Sequence, residues 1–176
     1  ARGFDSCLPV LADACLQITR FAAELGVQTM VENHGHFCQD SERVEKLVNA
    51  VADPNFGLLC DIGNFMDGDE DPALACSRVA PYAIHAHAKD FHFKSGMEPN
   101  PGRGFDLTRA GNWIRGAIVG HGAVPIRQCL GILKRSGFDG DVAIEFEGLE
   151  EPEIGVGIGL ENLRRYLGEL DESCTF

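Results

Sequence analysis

Between residues 8 and 25, Leu8, Leu11, Cys15, Ile18, Ala22 and Leu25 recur at three- and four-residue spacing, one apolar stripe on a helix that Gly26 stops. Val27 to Glu32 reads as a short strand, and Asn33-His34-Gly35-His36 follows as a loop. Asp40-Ser41 predicts the cap of a second helix with Val44, Leu47, Val48 and Val51 on its buried face, closed by Pro54. The pattern then repeats. Phe56 to Cys60 is an apolar run ending in Asp61, Asp71-Pro72 opens a helix through Val79, and Ala83 to His87 is a further run ending at Lys89-Asp90. Strands buried on both faces of a parallel sheet carry such continuous apolar runs. Residues 91–124, rich in Gly, Pro, Asn and Arg, are expected to form a long loop or lid. Regularity resumes with a helix from Pro125 to Arg135, a turn at 137–140, a strand from Val142 to Glu147 and a last helix carrying Leu160, Leu163, Leu167 and Leu170. Four strands alternating with helices predict an α/β fold with a parallel sheet in one domain over residues 1–176.

Composition narrows the functional classes. Of 176 residues 44% are hydrophobic, enough for a core, and 15 Lys plus Arg against 27 Asp plus Glu leave a net charge of -12. That charge argues against holding nucleic acid or an anionic membrane by electrostatics. No apolar run approaches the ~20 residues of a membrane span, and Ala1 to Asp5 lack the apolar core of a signal peptide, so a cytoplasmic protein is expected. The seven cysteines, Cys7, Cys15, Cys38, Cys60, Cys76, Cys129 and Cys174, include no Cys-x-x-Cys pair and fit reduced thiols.

The chemistry lies where the apolar runs end. Glu32, Asp61, His87 and Glu145 each fall at or near the end of a strand, so a parallel sheet gathers them on its C-terminal edge, the edge at which (β/α) barrels build active sites. Three carboxylates and one imidazole suit a divalent cation such as Mn2+, Mg2+ or Co2+, with Zn2+ as an alternative. Glu147 and His85 share strand faces with Glu145 and His87 and are expected to support them. Lys89, on the same face, and His34, in the loop after Glu32, are candidate substrate contacts. In the long loop Lys94, Arg103, Arg109, Arg115 and Trp113 suit a lid. Gly155-Val156-Gly157-Ile158-Gly159 lacks the strand and Lys of a phosphate loop.

Val31-Glu32-Asn33-His34, Asp61-Ile62-Gly63-Asn64, His85-Ala86-His87-Ala88-Lys89-Asp90, Gly137-Phe138-Asp139-Gly140 and Ile144-Glu145-Phe146-Glu147, in that order, resemble the sugar phosphate isomerase/epimerase family with a xylose isomerase-like TIM barrel. The resemblance implies a (β/α)8 barrel of which this chain holds about four βα units, strands five to eight. It also implies that Glu32, Asp61, His87 and Glu145 bind a divalent metal, usually Mn2+, while Glu32 and Glu145 exchange protons with the substrate. Asn64 stands where related epimerases often have a substrate-touching His. A full barrel needs eight strands and ~250 residues. The chain is therefore expected to be the C-terminal half of a longer protein, or to work with an N-terminal half-barrel partner or as a homo-oligomer. The implied activity is isomerisation or epimerisation of a small sugar or keto-polyol through an enediolate, with no nucleic acid or membrane partner. The alternatives are a keto-inositol dehydratase or related lyase on the same site, a metal-dependent endonuclease, and a non-catalytic half-barrel subunit.

Overall fold

The computed structural model of the protein describes residues 3–172, so Cys174 lies outside the described residues. A long helix α1 (Phe4–Glu24) leads into strand β1 (Thr29–Glu32), helix α2 (Ser41–Val51) and strand β2 (Phe56–Asp61). A single helical turn α3 (Asn64–Asp67), helix α4 (Pro72–Val79) and strand β3 (Ala83–Ala88) follow. The chain then forms β4 (Asp90–Lys94), β5 (Asp106–Leu107) and β6 (Trp113–Ala117), and ends with α5 (Ile126–Arg135), β7 (Val142–Ile144) and α6 (Pro152–Glu172). Strands β1, β2, β3 and β7 pair in that order, all parallel. The fold is the expected α/β arrangement, a partial barrel.

The core lies between this sheet and the helices on one of its faces. Leu58, Cys60, Ala86 and Ala88 point that way and are fully buried, as are Val44 of α2, Ala75, Cys76 and Val79 of α4, and Cys129 of α5. Asp71 caps α4 through its side chain, accepting from the Leu74 N–H at 2.8 Å, and Pro72 suits the first turn. The six described cysteines are free thiols. On the opposite face Met30 is 45% exposed, and Leu59, His85 and Ala143 are only partly covered. Among the described residues no helix is long and apolar enough to cross a membrane.

Three sequence expectations need correction. Of the expected α1 stripe, Leu8, Leu11 and Cys15 pack on the core together with Phe4, Ala12, Leu16 and Thr19, whereas Ile18 and Leu25 face out with Val10 and Phe21. Thr19 decides this rotation: its hydroxyl donates to the Cys15 carbonyl at 2.8 Å and lies 2.6 Å from the Thr29 hydroxyl of β1, so a polar pair draws its face inward. The segment 91–124 is not a loop throughout. Strands β4, β6 and β5 form an antiparallel sheet with Asp90 opposite Ala117 and Lys94 opposite Trp113. Their strand signal is broken up by Gly116 and by charged residues such as Lys94 and Arg115. Strand β7 ends at Ile144, not Glu147, although the Glu145 N–H still donates to the Ala88 carbonyl at 3.1 Å. Beyond that point Gly116 of β6 packs against the Glu147 backbone, so closely that a β-carbon at Gly116 would collide with it.

Asp90 anchors this hairpin. Its buried carboxylate accepts the backbone N–H groups of Phe91 at 2.8 Å, Gly120 at 2.9 Å, Gly122 at 2.8 Å and Val124 at 3.1 Å. Four donors satisfy a carboxylate that burial would otherwise penalise, and they order the connection from β6 to α5. Gly122 is needed for the approach, since a β-carbon there would strike the Asp90 carboxylate. The run 155–159 is helical, part of α6.

Candidate metal centre

Parallel register brings the four strand-end groups together. Glu32 lies opposite Leu59, Asp61 opposite His87, and His87 opposite Ala143. Glu32, Asp61 and Glu145 are each displaced from this ladder by zero or two residues, so all four side chains project from the same, half-covered face. One ligand-type atom from each lies within 4.8 Å of every other. His87 Nδ1 sits in the middle, 3.1 Å from Glu145 Oε2 and 3.6 Å from both Glu32 Oε1 and Asp61 Oδ2. Such separations match neighbouring ligands around one ion bound at about 2.1 Å.

Asp61 is the best-held member. Its Oδ1 accepts the Asn64 N–H at 2.8 Å, while its main chain is gripped by Asn33, whose amide accepts from the Asp61 N–H and donates to the Asp61 carbonyl, both at 2.8 Å. Asp61 Oδ2, fully buried, has no hydrogen-bond partner, because the imidazole 3.6 Å away is too distant. A buried carboxylate oxygen left without a donor, facing an imidazole and two further carboxylates, fits a site built for a cation. Burial pushes the Asp61 carboxyl up to about 6, against the pull of His87. Asp61 in turn holds the His87 imidazole above its ordinary value despite partial burial. Burial also works against the charge of Glu145, yet Asp61, Lys89 and His87 leave it below the usual carboxylate range.

The remaining candidates fall around this cluster. Burial opposes the charge of Lys89, yet Asp61, Glu147 and Glu145 hold its ammonium above the usual value; Nζ lies 3.3 Å from Glu145 and 3.0 Å from Glu147. Glu147 is thus a tether for Lys89 at the rim. His85 lies beneath His87, ring centroids 5.6 Å apart and nearly perpendicular. His34 and Asn64 line one cavity with Lys89 and Glu147. Arg109 points elsewhere, pairing with Asp40 at 2.5 Å, and Lys94 pairs locally with Glu98 at 3.4 Å. The sequence reading missed Asn33, although an Asn directly after a strand-end acid is a usable signal for an amide that pairs with the neighbouring strand.

The sequence profile of the xylose isomerase-like TIM barrel matches residues 2–166. The chain belongs to that family. Comparison with curated proteins finds no match. Among solved structures, a xylose isomerase-like TIM barrel protein from Mycobacterium smegmatis in complex with magnesium aligns with TM-score 0.71 at 18% identity, over 94% of this chain and 51% of that one. The IolI protein with a bound zinc atom aligns with TM-score 0.68 at 18% identity, over 97% and 58%. A D-tagatose 3-epimerase-like protein aligns with TM-score 0.65 at 22% identity, over 89% and 53%. These likenesses establish the fold. The chain spans between half and three fifths of the length of these three structures.

Proposed function

We propose that Glu32, Asp61, His87 and Glu145 hold one divalent cation, and that the protein isomerises or epimerises a small sugar or keto-polyol there. The observation that carries this is the convergence of their four ligand-type atoms within 4.8 Å around the unsatisfied Asp61 Oδ2. Crystals of two relatives, holding magnesium and zinc, support a divalent ion, with Mn2+, Mg2+, Co2+ and Zn2+ all suited to three oxygens and a nitrogen. When bound, the ion supplies Lewis acidity that makes the C–H beside a substrate carbonyl acidic. The residues divide the remaining work by exposure. Asp61, with its side chain wholly buried, is a fixed ligand, whereas Glu32 and Glu145 keep about a third of theirs open, 31% and 33%. These two exchange protons with the substrate, one removing the α-proton and the other returning it to the adjacent carbon or the opposite face. Lys89 keeps Glu145 ionised and oriented, and His34, Asn64 and Lys89 contact substrate oxygens.

The partner reading follows from the open sheet. Among the described residues strands β1 and β7 each have one unpaired edge, and Val10, Ile18 and Phe21 of α1, with Leu25 just after it, are exposed apolar side chains. A second half-barrel, joined to this chain or supplied by another, would cover these edges and the half-exposed face.

Calorimetric titration of Mn2+ into chelator-stripped protein tests the site. One binding site, lost in Asp61→Ala, is expected, and a folded protein that binds no Mn2+ would refute the reading. With a ketose substrate in D2O, Glu145→Gln should abolish α-proton exchange. Product analysis separates isomerisation from loss of a β-hydroxyl.

A further inference from the structure

Resting on that reading, we propose that Gln39 is a positioning residue that carries the docking of the β5–β6 turn to the Asp61 carboxylate, so that the turn and the metal centre are coupled. The turn, residues 108–112, lies on two segments that each follow a strand-end acid of the cluster. Arg109 reaches the loop after Glu32: its Nη1 donates to Asp40 at 2.5 Å and its Nη2 to the His36 carbonyl at 3.4 Å. Asp69, just beyond α3 on the segment that follows Asp61, accepts from the Thr108 hydroxyl at 2.8 Å, the Asn112 side-chain amide at 2.8 Å and the Ala110 N–H.

Gln39 stands where these contacts meet. It is 1% exposed, and its amide is fully used: Nε2 donates to the Asn64 carbonyl at 2.9 Å and to Asp67 Oδ2 at 2.7 Å, while Oε1 accepts from Arg109 Nη2 at 3.4 Å. A buried amide bonded in this way has one orientation, because turning it over would aim its donors at the guanidinium and its oxygen at a carbonyl and a carboxylate. Asn64 continues the line of contacts. Its N–H donates to Asp61 Oδ1 at 2.8 Å and is the one backbone donor to that carboxylate among the described residues. Where Asp61 Oδ2 aims therefore follows from where Asn64 sits, and Gln39 holds Asn64 from its other side.

Coupling between two places in a protein is reciprocal. If the docked turn keeps Asp61 in the geometry a cation needs, a bound cation keeps the turn docked in return. A turn that only packs against its neighbours gives no such return effect. Arg109 is the handle on this line: its side chain is 35% exposed, and it makes no hydrogen bond or ion pair with Glu32, Asp61, His87 or Glu145 among the described residues. Removing it loosens the turn without opening the core or touching a ligand.

The test combines hydrogen exchange read by mass spectrometry with calorimetric Mn2+ titration, on the unaltered protein, Arg109→Ala and Gln39→Met, which keeps the side-chain length but not the amide. In metal-free protein Arg109→Ala should speed exchange over residues 62–68 about tenfold and leave that of α5 unchanged. In the same variant Mn2+ affinity should fall about fivefold or more; Gln39→Met should lose at least as much, and the double variant should bind no more weakly than Gln39→Met alone. Adding Mn2+ should slow exchange over residues 108–112 in the unaltered protein, and this slowing should vanish in Gln39→Met. Exchange over 62–68 indifferent to Arg109, Mn2+ affinity indifferent to Arg109, or equal slowing at 108–112 in Gln39→Met would overturn the proposal. Arg109→Ala, with its half-exposed side chain, decides the matter if Gln39→Met does not fold. An unaltered protein that binds no Mn2+, while exchange over 62–68 still responds to Arg109, would sink the metal reading and leave the line from the turn to Asp61 standing.

Discussion

The parallel sheet and the antiparallel hairpin inserted after it are built on opposite principles, although Lys89 is all that separates β3 from β4. The parallel strands bury apolar residues on the helix side and carry Glu32, Asp61, His87 and Glu145 at, next to or just beyond their C-terminal ends, where adjacent strands bring them into one cluster. Local order there is cheap, because the hydrophobic core fixes the backbone. The hairpin has little core of its own, with Phe91, Ile114 and Ala117 as its buried strand apolars. Besides its own ladder it is held by one buried carboxylate, Asp90, by Asp69, which accepts from Thr108, Ala110 and Asn112 of the β5–β6 turn, and by close backbone packing at Gly116. The comparison teaches that one end of the sheet is organised by burial and the other by a polar knot, and that the knot sits three residues from His87.

Breaking the knot should have the largest effect on stability. Asp90→Ala removes four hydrogen bonds to a charged acceptor and leaves their donors buried, and it should cost about 4 kcal/mol or more in denaturant unfolding. A cost below about 1 kcal/mol would mean that the hairpin holds itself.

Asp61→Asn probes the contrasting acid. In metal-free protein at pH 7 it should raise stability by up to about 3 kcal/mol, because it removes a charge that burial disfavours, while Mn2+ affinity falls at least a hundredfold. Titration gives the same contrast without a mutation. The Asp61 carboxyl has a folded value near 6, above its ordinary 3.8, so its contribution is fully present below about pH 4 and is lost as the pH rises through 6. His87, also raised, shifts stability in the same direction at higher pH. Metal-free protein should therefore lose stability between pH 4 and 7, and added Mn2+ should reverse the loss at the upper end. A flat profile would contradict the burial that raises the Asp61 carboxyl.

Asn33→Ala removes both amide bonds to the Asp61 main chain and should cost about 2–3 kcal/mol, with a weaker Mn2+ affinity read in the same calorimetric titration. At the hairpin surface Lys94→Ala breaks only an exposed pair with Glu98 and should change stability by less than about 0.5 kcal/mol.

The helices and parallel strands were legible because burial leaves a mark on sequence. The seam Val44, Leu47, Val48 and Val51, the run Phe56 to Cys60, and the opening Asp71-Pro72 all correspond to observed elements. Glu32, Asp61, His87 and Glu145 were legible for the same reason, as polar residues where apolar runs stop. The hairpin was not, since Gly116 and Arg115 interrupt any apolar alternation, and its pairing depends on contacts distant along the chain. In α1 Leu8, Leu11 and Cys15 pack inward as expected, but the C-terminal part of the seam was misread because Thr19 is polar, and its bond to Thr29 draws it inward.

The amino-acid sequence by itself determined the α/β alternation, the acidic charge and the four residues that meet at one sheet edge, since period, composition and strand ends are local properties. Tertiary structure alone decided the even register that points those four the same way, the Asn33 grip on the Asp61 main chain, the unsatisfied Asp61 Oδ2, and the Asp90 knot. Each of these depends on which distant backbone groups come within hydrogen-bond reach, and that is settled only when the sheet and its insert pack together.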